Sequence, residues 1–149
     1  MTILNTAVIG AGAIHRCHVN ALRQIPNVAL RALVDIDSVK GLTLAMAYQC
    51  RFYQDYREML LDDAIDVVHI CTPHFEHKRM ILAALAAGKH VFCEKPLAMS
   101  AEGCRRIVDA EMKAGRRLVQ VGFMRPYDEG YLALKKVIDD GDIGAPLML

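Results

Sequence analysis

A short apolar run, Ala7-Val8-Ile9, is interrupted at once by Gly10-Ala11-Gly12, and a helical pattern resumes near Ala13. A strand, a tight turn and a helix N-terminus follow one another within a few residues. Gly10 lets the chain turn sharply, and Gly12 removes a side chain where a pyrophosphate has to approach. The first free amides of the helix beginning near Ala13 point at its oxygens. A nucleotide cofactor is the natural occupant of such a turn. The fingerprint asks for a third glycine at position 15, and this chain has His15 there. Either the helix stands off from the strand, which weakens cofactor binding, or the imidazole lies near the phosphates.

Beyond the turn, Ile14, Leu22 and Ile25 mark an apolar helix face that Pro26-Asn27 stops. Strand Val28–Val34 ends at Asp35, at about the ~20-residue interval where a carboxylate accepts both hydroxyls of an adenosine ribose. On spacing alone, Asp35 or Asp37 also fits as a cap for the helix starting near Ser38. Helical segments around Val39–Tyr48 and Tyr56–Leu61 lead to Asp66–Cys71, a strand apolar enough to be covered on both faces. His74 and His77 open a helix running to Ala87, with Gly88 as its left-handed cap. Strand His90–Cys93 delivers Glu94-Lys95-Pro96. Ser100 caps a helix whose Cys104, Ile107, Val108 and Met112 share a face, ended by Gly115. Strand Leu118–Val121 stops at Gly122. A last amphipathic helix carries Tyr127, Tyr131, Leu134 and Ile138, and Leu147-Met148-Leu149 reads as the opening of a further strand.

Strands alternating with helices over short loops imply right-handed crossovers and an α/β fold, a Rossmann-type doubly wound parallel sheet. Such sheets bind ligands beyond the C-terminal ends of their strands. Gly10, Asp35, Thr72, Glu94-Lys95 and Gly122 all follow strands, so the fold gathers them along one edge. Residues 1–122 form the dinucleotide-binding domain, and 123–149 form a connecting helix and the start of a second domain. At 149 residues the chain buries roughly two-thirds of its unfolded surface, enough for one core. A net charge of +1 offers no field for nucleic acid or an anionic membrane. Cys17, Cys50, Cys71, Cys93 and Cys104 are odd in number and lack CxxC spacing, as expected of reduced, mostly buried thiols in a cytoplasmic protein. The N-terminus reads as a strand and not a secretory signal, and no segment is long enough to span a bilayer.

Glu94-Lys95-Pro96 is the most informative constellation. Proline restrains the lysine before it to an extended conformation, and a partly desolvated ammonium polarises a hydroxyl from which hydride leaves. A solvated Glu-Lys pair at a strand end is the simpler reading from the residues alone. His15 with His18, and His74 with His77, share helix faces but match no zinc signature, so no metal is expected. His69 inside an apolar strand reads as a hydrogen-bonded core residue, and His18 as a packing or capping residue. Met46, Met59, Met80 and Met112 read as core filler.

The combination of GAGAIHRCH, the acid at Asp35, Thr72-Pro73 with His77, the EKPLAMSAEG run and VQVGFMRPYDEGY is similar to the Gfo/Idh/MocA oxidoreductases over the whole chain, most specifically from Phe92 to Gly144. The resemblance implies NAD as cofactor. It implies that Gly10, Gly12, Ala13 and Ile14 hold the pyrophosphate, Asp35 and Ile36 the adenosine ribose, and Thr72, Pro73 and His77 form the neighbourhood of the nicotinamide ribose. Glu94 would lie beside the nicotinamide, Lys95 would be the catalytic lysine, and Arg125 would face the substrate. The Lys95-Pro96 bond would be open to a cis conformation. The implied reaction is oxidation of a secondary ring hydroxyl of a cyclitol, polyol or sugar. The family continues into a second domain, an open antiparallel sheet supplying an aspartate and a histidine, the histidine as general base, so this chain is expected to be truncated before it and inactive alone. Family members associate through that sheet, so the full-length form is expected to be a homo-oligomer. Without the sheet the chain is a monomer or pairs through the Tyr127–Ile138 face. Two alternatives stand beside this reading: a dehydrogenase of another sugar, and a stand-alone, non-catalytic NAD-binding module or subunit.

Overall fold

The computed structural model describes residues 2–145. Six parallel strands, β1 (Leu4–Ile9), β2 (Val28–Val34), β3 (Arg51–Tyr53), β4 (Val67–Ile70), β5 (His90–Glu94) and β6 (Val119–Gly122), form one sheet in the order β3-β2-β1-β4-β5-β6. From β1 the chain winds outward to β3, then crosses back to β4 on the other side of β1. The order therefore reverses between β1 and β4, where the crevice of a doubly wound sheet opens. The helices are α1 (His15–Leu22), α2 (Ser38–Tyr48), α3 (Tyr56–Leu60), α4 (His74–Ala86), α5 (Ala101–Lys113) and, after a 3-10 turn at Arg125–Tyr127, α6 (Glu129–Asp139).

Alternation along the strands divides the core in two. Ala7, Ile9, Ala32, Val34, Val68 and Ile70 face Met59 of α3, Met80, Ile81 and Ala84 of α4, and Ile107 of α5. Val8, Leu33 and Cys71 face Val19 and Leu22 of α1 and Ala45 of α2. Both faces of the inner strands are thus covered, and each large apolar side chain buried there contributes roughly 1.5–3 kcal/mol. Starts and stops follow local chemistry. Asp37, Asp55, Ser100 and Asp128 accept amide hydrogens at the starts of α2, α3, α5 and α6, and Gly88, Gly115 and Gly141 take positive φ after α4, α5 and α6.

Several sequence expectations need correction. α1 begins at His15, after turn residues at 13 and 14, and its buried face is His15, His18, Val19 and Leu22. Ile14 and Ile25 stay exposed because both lie outside its regular turns. On α5 the buried stripe runs through Gly103 and Ile107, which turns Val108 and Met112 to solvent. Met59 and Met80 are core residues, whereas Met46 is exposed. Cys17 is exposed as well, although Cys71 and Cys93 are buried. The sequence pattern gave no sign of β3, a three-residue edge strand. The strand expected at Leu147–Leu149 lies outside the described residues. Among the described residues, no helix is long and apolar enough to cross a membrane.

Candidate functional site

At the end of β1, Gly10 adopts φ +95° and donates its N–H to Val34 O at 2.7 Å. A Cβ there would sit 2.9 Å from Cys71 O, so only glycine lets the turn pass this close to the end of β4. Gly12 is the opposite case, since a Cβ on it would meet nothing within 4 Å. The space beside it is open to a ligand. Asp35 ties the turn to the next element: one carboxylate oxygen accepts Ala11 N–H at 2.6 Å and the other Asp37 N–H at 2.9 Å. Asp37, and not Asp35, caps α2 by accepting Lys40 N–H at 3.0 Å. Each Asp35 oxygen keeps a further lone pair for a ribose hydroxyl.

These residues line a cleft of about 680 Å3 over the β1/β4 crossing. Of the positions expected from sequence, Gly10, Gly12, Asp35, Ile36, Thr72 and Pro73 are all on its wall. Lys40, Gln54, Tyr56, Arg57, Phe75 and Arg79 also line it, together with Asp55, Glu58 and Glu76, and went unnoticed in the sequence as cleft residues. Gln54 and Tyr56 follow β3, the strand that the pattern did not disclose. Phe75, one residue past the expected Pro73 and His74, is an exposed aromatic on an otherwise charged rim, and that was a readable signal. Ala13 lines a second cleft of about 610 Å3 on the other side of the turn, with His15, Arg16 and Lys40, while Ile14 is exposed at the lip.

His15 makes contacts that the sequence did not disclose. It is buried, with Nδ1 against Gly12 O and Nε2 3.0 Å from the Tyr48 hydroxyl of α2. The imidazole braces the glycine turn from behind.

His77 sits beside Thr72. It is fully buried, with Nδ1 2.7 Å from Pro96 O and Nε2 3.0 Å from Thr72 O. Both carbonyls accept only, so the ring N–H donates to one of them while the other nitrogen lies against the second; the imidazole packs between the end of β4 and the turn after β5. Lys95 follows β5 with a cis bond to Pro96, and it is exposed where partial desolvation was expected, because no described residue covers the strand end. Arg125 is exposed, its guanidinium 4.6 Å from the centre of the Tyr131 ring.

Glu94 is partly buried and accepts a hydrogen bond from His18 Nε2 at 3.0 Å, so His18 does more than pack or cap. Burial and the Glu94 charge push the Cys93 thiol up to about 12 and Cys71 further still, so neither serves as a nucleophile. Among the described residues no cluster of three or more His, Cys, Asp or Glu is placed to hold a metal ion. The open side at Gly12, the tight turn at Gly10 and the acceptor atoms of Asp35 fit a dinucleotide.

Fold and crevice together define a dinucleotide-binding Rossmann domain. The chain belongs to the Gfo/Idh/MocA oxidoreductase family, whose NAD-binding Rossmann fold matches residues 4–123. NAD is the cofactor of this fold. The chain is 57% identical to an inositol 2-dehydrogenase of Klebsiella pneumoniae strain 342, covering 98% of this chain and 44% of that protein. It resembles the crystal structure of Lactobacillus casei myo-inositol dehydrogenase in complex with NAD(H) and myo-inositol at 38% identity and TM-score 0.91, over 98% of this chain and 44% of that one. The myo-inositol 2-dehydrogenase of Lactobacillus plantarum superposes with TM-score 0.89 at 32% identity, over 96% and 43%. The chain thus spans less than half the length of these relatives.

Proposed function

We propose that this chain is the cofactor-binding half of an NAD-dependent dehydrogenase that oxidises a secondary ring hydroxyl of myo-inositol or a related cyclitol. The observation that carries the reading is the shared edge. The glycine turn, Asp35 and Thr72-Pro73 line one cleft, and His77 lies between Thr72 O and Pro96 O, next to Lys95. Gly10, Gly12, Ala13 and Ile14 would take the pyrophosphate, and Asp35 and Ile36 the adenosine ribose. Thr72 and Pro73 would take the nicotinamide ribose, with His77 holding them in place, and Glu94 would flank the nicotinamide. When bound, NAD supplies the acceptor for the hydride.

Lys95 is the catalytic residue of this half. Its ammonium would donate to the substrate hydroxyl and stabilise negative charge developing on that oxygen. A lysine that stays protonated cannot also remove the hydroxyl proton, which falls to a histidine outside these 149 residues. Arg125, stacked on Tyr131, would offer its guanidinium to the polyol hydroxyls. The full-length form would be a homo-oligomer. The supporting comparison is the 57% identity to an inositol 2-dehydrogenase.

The test is a fusion of this chain to the remaining half of the Klebsiella relative, assayed for NADH formation with myo-inositol, scyllo-inositol and glucose. Turnover is expected with myo-inositol first. A fusion that binds NAD and prefers glucose would overturn the cyclitol assignment.

A further inference from the structure

Three side chains from three elements form a hydrogen-bonded chain at the C-terminal end of β5. His69 Nδ1 of β4 lies 3.2 Å from His18 Nδ1 of α1, and His18 Nε2 lies 3.0 Å from Glu94 Oε1. The His18 side chain is 8% exposed and that of Glu94 20%, so the chain runs from a buried imidazole to a carboxylate that solvent reaches at the end of β5. Packing fixes the rings. His69 stacks on Phe92 with centroids 5.2 Å apart, and His18 meets both rings edge-on at 5.5 Å. We propose that His18 is a positioning residue, which holds the Glu94 carboxylate in place at the end of β5 so that its charge favours NAD+ over NADH.

Proton placement follows from the partners. A carboxylate only accepts, so His18 carries its hydrogen on Nε2. The Nδ1–Nδ1 contact needs one hydrogen, carried by either ring. Burial, with the charge of His18, pushes His69 down to about 4, so His69 carries no charge that would compete for Glu94. The other titratable groups near Glu94 stay out of the exchange: the Cys71 and Cys93 thiols are pushed up, Cys17 is exposed, and Lys95 is in solvent. The donor that reaches Glu94 is His18 Nε2–H.

The inference rests on the cofactor reading above, in which Glu94 flanks the nicotinamide. That ring is positively charged in NAD+ and neutral in NADH, so a fixed carboxylate stabilises only the oxidised form by Coulomb attraction. A glutamate without its anchor turns toward water and loses that discrimination.

Dissociation constants of the 149-residue chain for NAD+ and NADH test this in wild type, His18→Met, His18→Gln and Glu94→Gln. His18→Met is expected to weaken NAD+ by about three- to tenfold and to leave NADH within about twofold. Gln at 18 reaches the Nε2 position with an amide donor and restores the NAD+ preference. Glu94→Gln reproduces the loss, and adding His18→Met to it changes nothing further. Imidazole nitrogen spectra of the cofactor-free chain should show His18 protonated on Nε2. If His18→Met does not fold, the Gln variants and the spectra still decide. Equal losses for NAD+ and NADH, failure of Gln at 18 to rescue, or a His18 without a hydrogen on Nε2 would overturn the inference. A wild-type chain that binds neither nucleotide would overturn the cofactor reading itself and the inference with it.

Discussion

His69 shows how a single partly buried imidazole links the site to stability. Its folded-state value of about 4 lies below the 6.5 of an exposed histidine. As pH falls below 6.5 the unfolded chain takes up a proton that the folded chain refuses until about 4. Stability from this residue is therefore fully present above 6.5 and lost on acidification through that window, with a limiting slope of about 1.4 kcal/mol per pH unit. In His69→Gln the denaturation free energy measured from pH 7 to 4 should fall less steeply by up to that amount; an unchanged slope would mean that His69 titrates normally. His15 acts by bracing. His15→Gly removes its bonds to Gly12 O and the Tyr48 hydroxyl and should cost about 1–3 kcal/mol while loosening NAD severalfold. Tighter NAD binding in calorimetry would show that the imidazole hinders the turn. Sequence could pose the question of position 15 but not answer it, because Tyr48 is 33 residues away along the chain.

At the level of elements, the glycine turn is specified by backbone geometry. Gly10→Ala places a methyl 2.9 Å from Cys71 O at φ +95° and should destabilise the fold by more than about 1 kcal/mol and abolish NAD binding. A variant with wild-type melting temperature and affinity would remove the turn from the account. This turn was legible because glycine spacing after an apolar strand has one common cause, and so were β1, β2, β4, β5 and β6, whose cores are apolar runs. β3 was not legible, since Arg51-Phe52-Tyr53 is too short to show alternation and pairs on one side only. With it went Gln54 and Tyr56, which form the outer wall of the cleft. The helix faces on α1 and α5 were misplaced for a related reason. A shift of the helix start by two residues, or of the stripe by one, moves which side chains meet the sheet. His77 was found as a residue but its place between two main-chain carbonyls was not, because those carbonyls carry no sequence signal.

For the molecule as a whole, binding and chemistry should separate. The chain alone should show no detectable oxidation of myo-inositol, since losing a general base removes a factor of ~10²–10⁴ and losing the pocket removes proximity as well. In the fusion to the remaining half of the Klebsiella relative, Lys95→Ala should lower kcat by ~10²-fold or more with NAD affinity unchanged. Turnover by the chain alone, or an unaffected kcat in the variant, would take Lys95 or the missing base out of the mechanism. The central claim is that the cleft over the β1/β4 crossing is an NAD site whose ribose end is set by Asp35. Calorimetric titration of the 149-residue chain with NAD and then NADP tests it most directly. One saturable NAD site is expected, with NADP weaker because the Asp35 carboxylate repels a 2'-phosphate, and Asp35→Ala should weaken NAD and narrow the difference. NADP binding as tight as NAD, or no NAD binding by the folded chain, would contradict it.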